Sequence, residues 1–85
     1  MGLAVRPLTE DEREQSGTDR GLLVEDAQGP AEAAGIAQGD VVLAVNGTQV
    51  SSVAQLRDLI RPRDKHIALL IQRGDSRIFV PIALG

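Results

Sequence analysis

The sequence predicts a single small α+β domain, and three observations carry this prediction. Segments rich in valine, leucine and isoleucine alternate with glycine, proline and asparagine, which is typical of short strands joined by turns. Helical patterns appear in a short alanine-rich stretch before Gly35 and in a longer stretch after Ser52. The length of 85 residues, with 42% hydrophobic content, suits one core. We expect about five to six strands, one short helix and one long helix.

The first strand candidate covers residues 1–8, where Leu3 and Val5 fall at alternate positions. Proline cannot donate a hydrogen bond to a neighbouring strand, so Pro7 either places this strand at a sheet edge or marks its end. From the alternation alone, Leu3 and Val5 fit core positions of an amphipathic edge strand.

Residues 9–20 are polar and charged and contain no large apolar side chain. Because nothing there anchors the segment to a core, we interpret it as a mobile surface loop. A helical turn that starts near Thr9 is the alternative, since the run from Thr9 to Glu12 resembles a capping box.

The middle of the chain combines several turn signals with one buried strand. Residues 21–26 form a second strand candidate, and residues 31–34 form the short helix. Gly35 then stands where a residue that tolerates positive φ usually ends a helix. Residues 41–45 are a valine-rich apolar run too short for a helix, and residues 46–47, Asn-Gly, predict a tight reversal.

The main predicted helix runs from Val53 to roughly Arg61 and must end before Pro62, since proline disfavours the helical conformation of the residue before it. Val53 and Arg57 share a shoulder of this helix between core and solvent. As an isolated helix charge, Arg57 would simply be solvated. The predicted core-facing positions are Leu56, Leu59 and Ile60.

The chain ends in a predicted hairpin. Residues 67–72 and 77–84 have strand character, and residues 73–76 between them supply the turn. The complete predicted order is strand, loop, strand, short helix, strand, long helix and hairpin, which is the order of a small α+β domain.

Composition argues against several functions. The net charge of −3, the sequence pI near 4.9 and the single aromatic residue, Phe79, argue against nucleic-acid binding. The absence of cysteine excludes disulfides and thiolate metal sites. No apolar run approaches the roughly 18 residues of a membrane-spanning helix, so we expect no direct membrane insertion.

Catalytic signatures are missing as well. No Gly-x-Ser-x-Gly elbow occurs, and the two serines before the long helix fit helix capping. His66 is the sole histidine and is expected in an exposed loop; with Asp64 alone it makes too small a donor set for a metal. No glycine-rich phosphate loop follows a strand. We therefore expect no catalytic residue, no metal and no cofactor.

Residues 29–36 followed by residues 39–47 resemble PDZ domains, and most of all those attached to bacterial trypsin-like proteases of the HtrA/Deg family. The helix residues 52–57 and the hairpin residues 72–75 look like the second, C-terminal PDZ domain of the periplasmic members. The resemblance covers the chain from Gly2 onward.

This resemblance implies one PDZ domain over residues 1–85, excised from a larger periplasmic serine protease. The implied fold is a partly open β-barrel or sandwich with permuted topology. In that topology the last strand, residues 77–84, takes the place of a missing N-terminal strand.

The resemblance also implies a binding site. In PDZ domains a peptide C-terminus adds as a strand between an edge strand and the long helix, and backbone N–H groups of a glycine-containing loop hold its carboxylate. An apolar residue at position 53 would favour an apolar side chain at the third-last ligand position. The implied positions are Met1, Gly2 and Leu3 in the carboxylate loop, and Leu3, Ala4, Val5, Val53 and Arg57 along the groove.

Pro7 limits how far such pairing extends. It has the same parity as Leu3 and Val5, so it falls where the ladder would next need an N–H group. We therefore expect pairing to stop after about four ligand residues, which limits affinity.

Three functions remain open from the sequence. The first is a module that captures C-terminal or unfolded peptides for a protease, with the protease and PDZ domains of the parent chain as further partners. The second is a structural module with a weak or occluded groove that mediates subunit assembly. The third is a PDZ domain of an intramembrane protease or a secretion protein.

Overall fold

The computed structural model describes residues 2–61 and 64–84, which form a six-stranded antiparallel sheet with three helices. The predicted α+β class is confirmed, and the strand number lies in the expected range. In chain order the elements are β1 (Leu3–Pro7), α1 (Glu10–Ser16), β2 (Leu22–Ala27), α2 (Gly29–Ala33), β3 (Val41–Val45), β4 (Thr48–Gln49), α3 (Val53–Leu59), β5 (His66–Arg73) and β6 (Ser76–Ala83).

The sheet is open, with the strand order β1-β2-β3-β5-β6 and with β4 paired to β3. Within the described residues, β1 and β6 are therefore its two long edge strands, and the two-residue β4, which pairs only with β3, is a further short edge. All the pairings are antiparallel, and β5 and β6 form the long hairpin that the end of the chain predicts. An edge strand carries backbone groups that no neighbour satisfies, so both long edges matter for binding.

The core packs the apolar face of the sheet against α2 and α3. Ala31 of α2 and Leu56 of α3 belong to the same buried cluster as the strand residues. Leu59 and Ile60 pack against that cluster while partly buried, so the predicted face of the long helix is confirmed. Full burial of each large aliphatic side chain contributes about 1.5–3 kcal/mol. The largest fully buried side chains are Leu22, Val24, Val42, Val45, Val50, Leu69, Ile71 and Ile82.

The interpretation of residues 9–20 as a mobile loop is wrong, because most of that segment is α1. The Thr9 hydroxyl accepts from the N–H of Glu12 at 3.2 Å, and the Glu12 carboxylate accepts from the N–H of Thr9 at 2.8 Å. Gly17, at φ 71°, ends the helix by donating to the Arg13 carbonyl at 3.1 Å. The helix buries no residue. The helix is therefore stabilised by its polar caps and not by an apolar face packed on the core.

The predicted tight turn between β3 and β4 is confirmed. Asn46 and Gly47 both have positive φ, 50° and 86°, as a two-residue reversal requires. Asn46 also joins β3 to β5, since its N–H donates to the Ala68 carbonyl at 2.8 Å and its Oδ1 accepts from the Ala68 N–H at 2.9 Å. The turn therefore anchors two strands of the sheet.

Several predicted boundaries shift. The short helix covers Gly29–Ala33 rather than residues 31–34. The long helix ends at Leu59 rather than near Arg61, because Ile60 is already extended at φ −100° and ψ 106°. His66 is exposed as expected, but it begins β5 instead of lying in a loop. These shifts leave the order of the elements unchanged.

An ion pair between a buried carboxylate and a partly exposed arginine, which the sequence did not predict, fixes the turn before β3. Asp40 is almost fully buried, and Arg73 donates to both of its carboxylate oxygens at 2.9 and 2.7 Å. Arg73 also donates to the Gly35 carbonyl at 2.8 Å. Burial alone would raise the pKa of Asp40, but the hydrogen bonds from Arg73 and from the Ala37 N–H outweigh it and hold that pKa below its ordinary value.

Candidate functional site

A groove lies between the edge strand β1 and helix α3. Its volume is about 540 Å³. One wall is the start of β1 and the residue before it, and the other wall is one side of α3. The lining residues are Gly2, Leu3, Ala4 and Val5 on the strand side, and Val53, Leu56, Arg57 and Ile60 on the helix side.

The structure brings the residues singled out from the sequence to this one place. Gly2, Leu3, Ala4 and Val5 line the groove together with Val53 and Arg57, although about fifty positions of chain separate the two groups. Met1, the other residue assigned to the carboxylate loop, lies outside the described residues. Leu56 and Ile60, which the helix spacing predicts as core positions, also form part of the groove wall.

The hydrogen bonding of Gly2 shows which backbone groups of β1 face the groove. The N–H of Gln28 donates to the Gly2 carbonyl at 2.7 Å, so Gly2 directs its carbonyl toward β2. Along an antiparallel strand, successive residues direct their N–H and C=O groups to opposite sides. Leu3 and Val5 therefore direct theirs away from β2, into the groove.

A bulge beside this strand lies on β2 and leaves the alternation of β1 intact. Ala4 pairs with Asp26 while Val5 pairs with Val24, so Glu25 has no partner position on β1. The burial pattern of β2 shifts at the same place, whereas Leu3 and Val5 both pack against the core. The backbone groups of β1 thus keep a two-residue repeat along the groove.

Gly2 occupies a position that only glycine fits. Its φ is +88°, and a Cβ on it would overlap the carbonyl oxygen of Gln28. This close approach brings the segment before β1 against the end of β2, and it sets the direction in which the backbone enters the groove.

The helix wall combines an apolar shoulder with one cation. Val53 is half-buried and is the first residue of α3, which the Ser52 side chain caps by accepting from the Gln55 N–H at 3.1 Å. Arg57 is exposed and makes no ion pair with the described residues. It is the one charged side chain among the lining residues, so the groove is apolar with a positive flank.

The far end of β1 carries a second ion pair that the sequence did not predict. Two nitrogens of Arg6 donate to the two carboxylate oxygens of Glu12 at 2.7 and 2.8 Å, and Glu25 lies 3.7 Å from the Arg6 Nε. The hydrogen bonds from Arg6 and from the Thr9 N–H lower the pKa of Glu12 to about 2. Glu12 is the capping residue of α1, so Arg6 attaches that helix to the groove strand.

The described residues contain no cluster of three or more His, Cys, Asp or Glu side chains that could hold a metal ion. No helix in residues 2–61 and 64–84 is long and apolar enough to cross a membrane. The chemistry that the groove offers is hydrogen bonding from an exposed strand edge beside apolar side chains.

Comparisons with known proteins agree with this geometry. A family model described as a PDZ domain matches residues 23–73, which is more than half of the chain. The periplasmic serine endoprotease DegP of Salmonella typhimurium is 37% identical over 81% of the chain. A probable periplasmic serine endoprotease, DegP-like, of Hahella chejuensis is 33% identical over the whole chain. The chain spans only 15% and 19% of these two relatives.

Solved structures show the same fold. The HtrA3 PDZ domain bound to a phage-derived ligand superposes with a TM-score of 0.84 at 22% identity, over 98% of this chain and 81% of that one. The HtrA-type protease AlgW with a decapeptide superposes with a TM-score of 0.79 at 24% identity, over 99% of this chain and 28% of that one.

Proposed function

The chain belongs to the PDZ domain family, and from this premise we propose that it captures C-terminal or unfolded peptides by strand addition for an attached HtrA/Deg-type serine protease. The domain itself is a binding module and not a catalytic one. The observation that carries the proposal is the groove beside β1, where the N–H and C=O groups of Leu3 and Val5 face an apolar helix wall. A peptide strand satisfies such groups, which gives affinity without a charged anchor.

In the proposed complex, the peptide carboxylate lies at the Gly2–Leu3 end of the groove, where backbone N–H groups receive it. The positive φ of Gly2 supports this placement, since loops with such backbone conformations form concave anion-binding sites. The last ligand side chain then meets the apolar wall that includes Leu56 and Ile60.

The helix shoulder is the proposed determinant of the third-last ligand side chain. Val53 is apolar and offers no acceptor for a hydroxyl proton, so an apolar ligand residue is favoured there over serine or threonine. Arg57 lies one turn further along α3 and is proposed as a ligand contact at the flank of the groove.

The parent protein is proposed from the relatives, because the chain spans only a small part of their length. Both relatives are named periplasmic serine endoproteases, which supports a periplasmic protease that carries this segment as one PDZ domain. We assign the segment to the second PDZ position of that protease, with the protease and PDZ domains of the same polypeptide as its neighbours.

The proposal is tested by titrating the domain with a library of C-terminal peptides and with the same peptides amidated at the C-terminus. We expect saturable binding that amidation abolishes, since an amide carries no charge for the backbone N–H groups to receive. Saturable binding that persists after amidation would contradict the proposed carboxylate site. No binding by a folded domain would instead favour a module whose groove is occluded and whose surfaces serve assembly.

A matched pair of variants locates the site. Val53→Glu places a charge in the groove at the first turn of α3, where an acidic residue suits the helix N-terminus, and we expect it to weaken binding at least tenfold. Arg77→Ala changes an exposed side chain on β6, outside the groove, and should bind as the unmodified domain does. Equal affinities for the two variants would show that peptides bind elsewhere.

A further inference from the structure

We infer that the groove is closed to further strand pairing at one end by the chain itself, so that it pairs with only about four ligand residues and gains little affinity from residues beyond them. This inference rests on the proposed function. The closing elements are Pro7, the guanidinium of Arg6 and the carboxylate of Glu12, none of which lines the groove.

The backbone alternation of β1 makes Pro7 the third position that faces a ligand. Leu3 and Val5 direct their backbone groups into the groove, and Pro7 follows with the same parity at the last position of the strand. Proline has no N–H, so the donor that a ligand carbonyl would need at this position is missing.

The acceptor at the same position is already occupied. The Pro7 carbonyl accepts a hydrogen bond from Arg6 Nη1 at 3.0 Å. An incoming ligand N–H would therefore have to share this oxygen with the guanidinium or displace it. Pro7 thus offers a ligand strand no donor, and its one acceptor is already hydrogen-bonded to the neighbouring arginine.

The guanidinium is held in this position from α1. The bidentate contact with Glu12 orients the plane of Arg6, and Glu12 is itself tied to the Thr9 N–H in the capping box. The same carboxylate therefore caps α1 and holds the group that occupies the Pro7 carbonyl. Helix α1 buries no residue, so its contribution on this side is polar.

The open part of the edge sets the ligand length. From Leu3 to Pro7 the strand spans roughly 14 Å at ~3.4 Å per residue, which matches about four paired ligand residues. Residues of a longer ligand beyond these four leave the ladder at Pro7. They gain no main-chain hydrogen bonds from β1, so added length adds little affinity.

The experiment compares two acetylated peptides with free C-termini by calorimetry. One is a tetrapeptide of alternating alanine and valine that ends in valine, and the other extends it by three threonines at the amino end. The readout is the ratio of the tetrapeptide Kd to the heptapeptide Kd, measured within each protein. For the unmodified domain we expect a ratio within about twofold, since no ladder bond is added.

Pro7→Val restores the missing donor, and the ratio should then rise about fivefold, the effect of one additional hydrogen bond. Arg6→Ala frees the Pro7 carbonyl and should raise the ratio independently, which keeps the test decisive if Pro7→Val fails to fold. Arg13→Ala is the matched control, because it removes an arginine of α1 that makes no ion pair within the described residues. Circular dichroism and thermal melting verify that each variant is folded.

The outcomes separate this inference from the proposed function. A Kd ratio well above twofold in the unmodified domain would contradict the inference. A ratio that rises in neither Pro7→Val nor Arg6→Ala, with both variants folded, would contradict it as well. If neither peptide binds at any concentration and other C-terminal peptides do not bind either, the proposed function is refuted. The inference about Pro7 is then refuted with it. A rise in Arg13→Ala equal to that in Arg6→Ala would refute the role of the Pro7 carbonyl.

Discussion

Removing Arg73 should destabilise the domain more than neutralising its partner Asp40, although both changes break the same ion pair. Asp40 has a side chain only 3% exposed, whereas that of Arg73 is 48% exposed. Arg73→Ala leaves a buried carboxylate without its cation, which costs about 3–5 kcal/mol of unfolding free energy. Asp40→Asn keeps an acceptor for the Ala37 N–H and lets Arg73 turn to water, so the loss is about 1.5–3 kcal/mol.

The pH dependence distinguishes the two variants further. In the unmodified domain the pKa of Asp40 lies below its unfolded value of about 3.9, so the pair stabilises fully above that value and its contribution is lost as pH falls through the folded pKa. Without Arg73, burial is the largest remaining cause and raises the pKa of Asp40 above the unfolded value. Protonation then relieves the cost, so the deficit of Arg73→Ala relative to the unmodified domain shrinks as pH falls.

Urea denaturation at pH values from about 7 to 3 measures these differences. Arg77→Ala is the control for loss of a surface arginine and should track the unmodified domain at every pH. A deficit of Arg73→Ala that stays constant with pH, or that is no larger than that of Asp40→Asn, would refute the reasoning from burial.

Three further predictions concern the groove and its supports. Gly2→Ala forces a Cβ onto the Gln28 carbonyl and should weaken peptide binding at least tenfold by calorimetry, while Gly17→Ala, at positive φ with open space around it, should bind normally. Since the pKa of Glu12 is lowered to about 2, the unmodified domain should lose melting temperature as pH falls from about 4.5 to 2, and Glu12→Gln should lack this part of the loss. Asn46→Ala removes an acceptor at positive φ and should lower the unfolding free energy in urea by about 1–2 kcal/mol.

The sequence predicts those elements of the fold whose signals lie within a few neighbouring residues. The turn at Asn46 and Gly47 needs two residues that tolerate positive φ, and the sequence supplies them side by side. The strands other than β4, and also α3, each bury apolar side chains whose spacing is visible in the chain. Helix α1 gives no such signal because it buries nothing, so only its capping box at Thr9 and Glu12 indicates a helix.

The two ion pairs are not predictable from the sequence for a different reason. Asp40 and Arg73 are 33 positions apart, and nothing in the local sequence of either specifies the other. Arg6 and Glu12 are close in sequence, yet their contact depends on the angle between β1 and α1. The bulge in β2 does leave a signal in the sequence, since the apolar spacing of β2 changes from Leu22 and Val24 to Ala27.

Strands β1 and β6 each have a proline on the outer edge, and β1 is the one that lines the groove beside α3. Asn46 takes both backbone groups of Ala68, so Pro81, which pairs with Ala68, directs its missing N–H outward from β6. The proline of β6 is the sixth of its eight residues, so it removes one donor near the end of the outer edge and leaves the outward backbone groups of Arg77 and Phe79 unaffected. The proline of β1 lies at the end of that strand, so the positions of Leu3 and Val5 stay available. A proline therefore limits extended pairing on both strands, and the open segment of β1 differs from that of β6 in lying beside the groove that α3 lines.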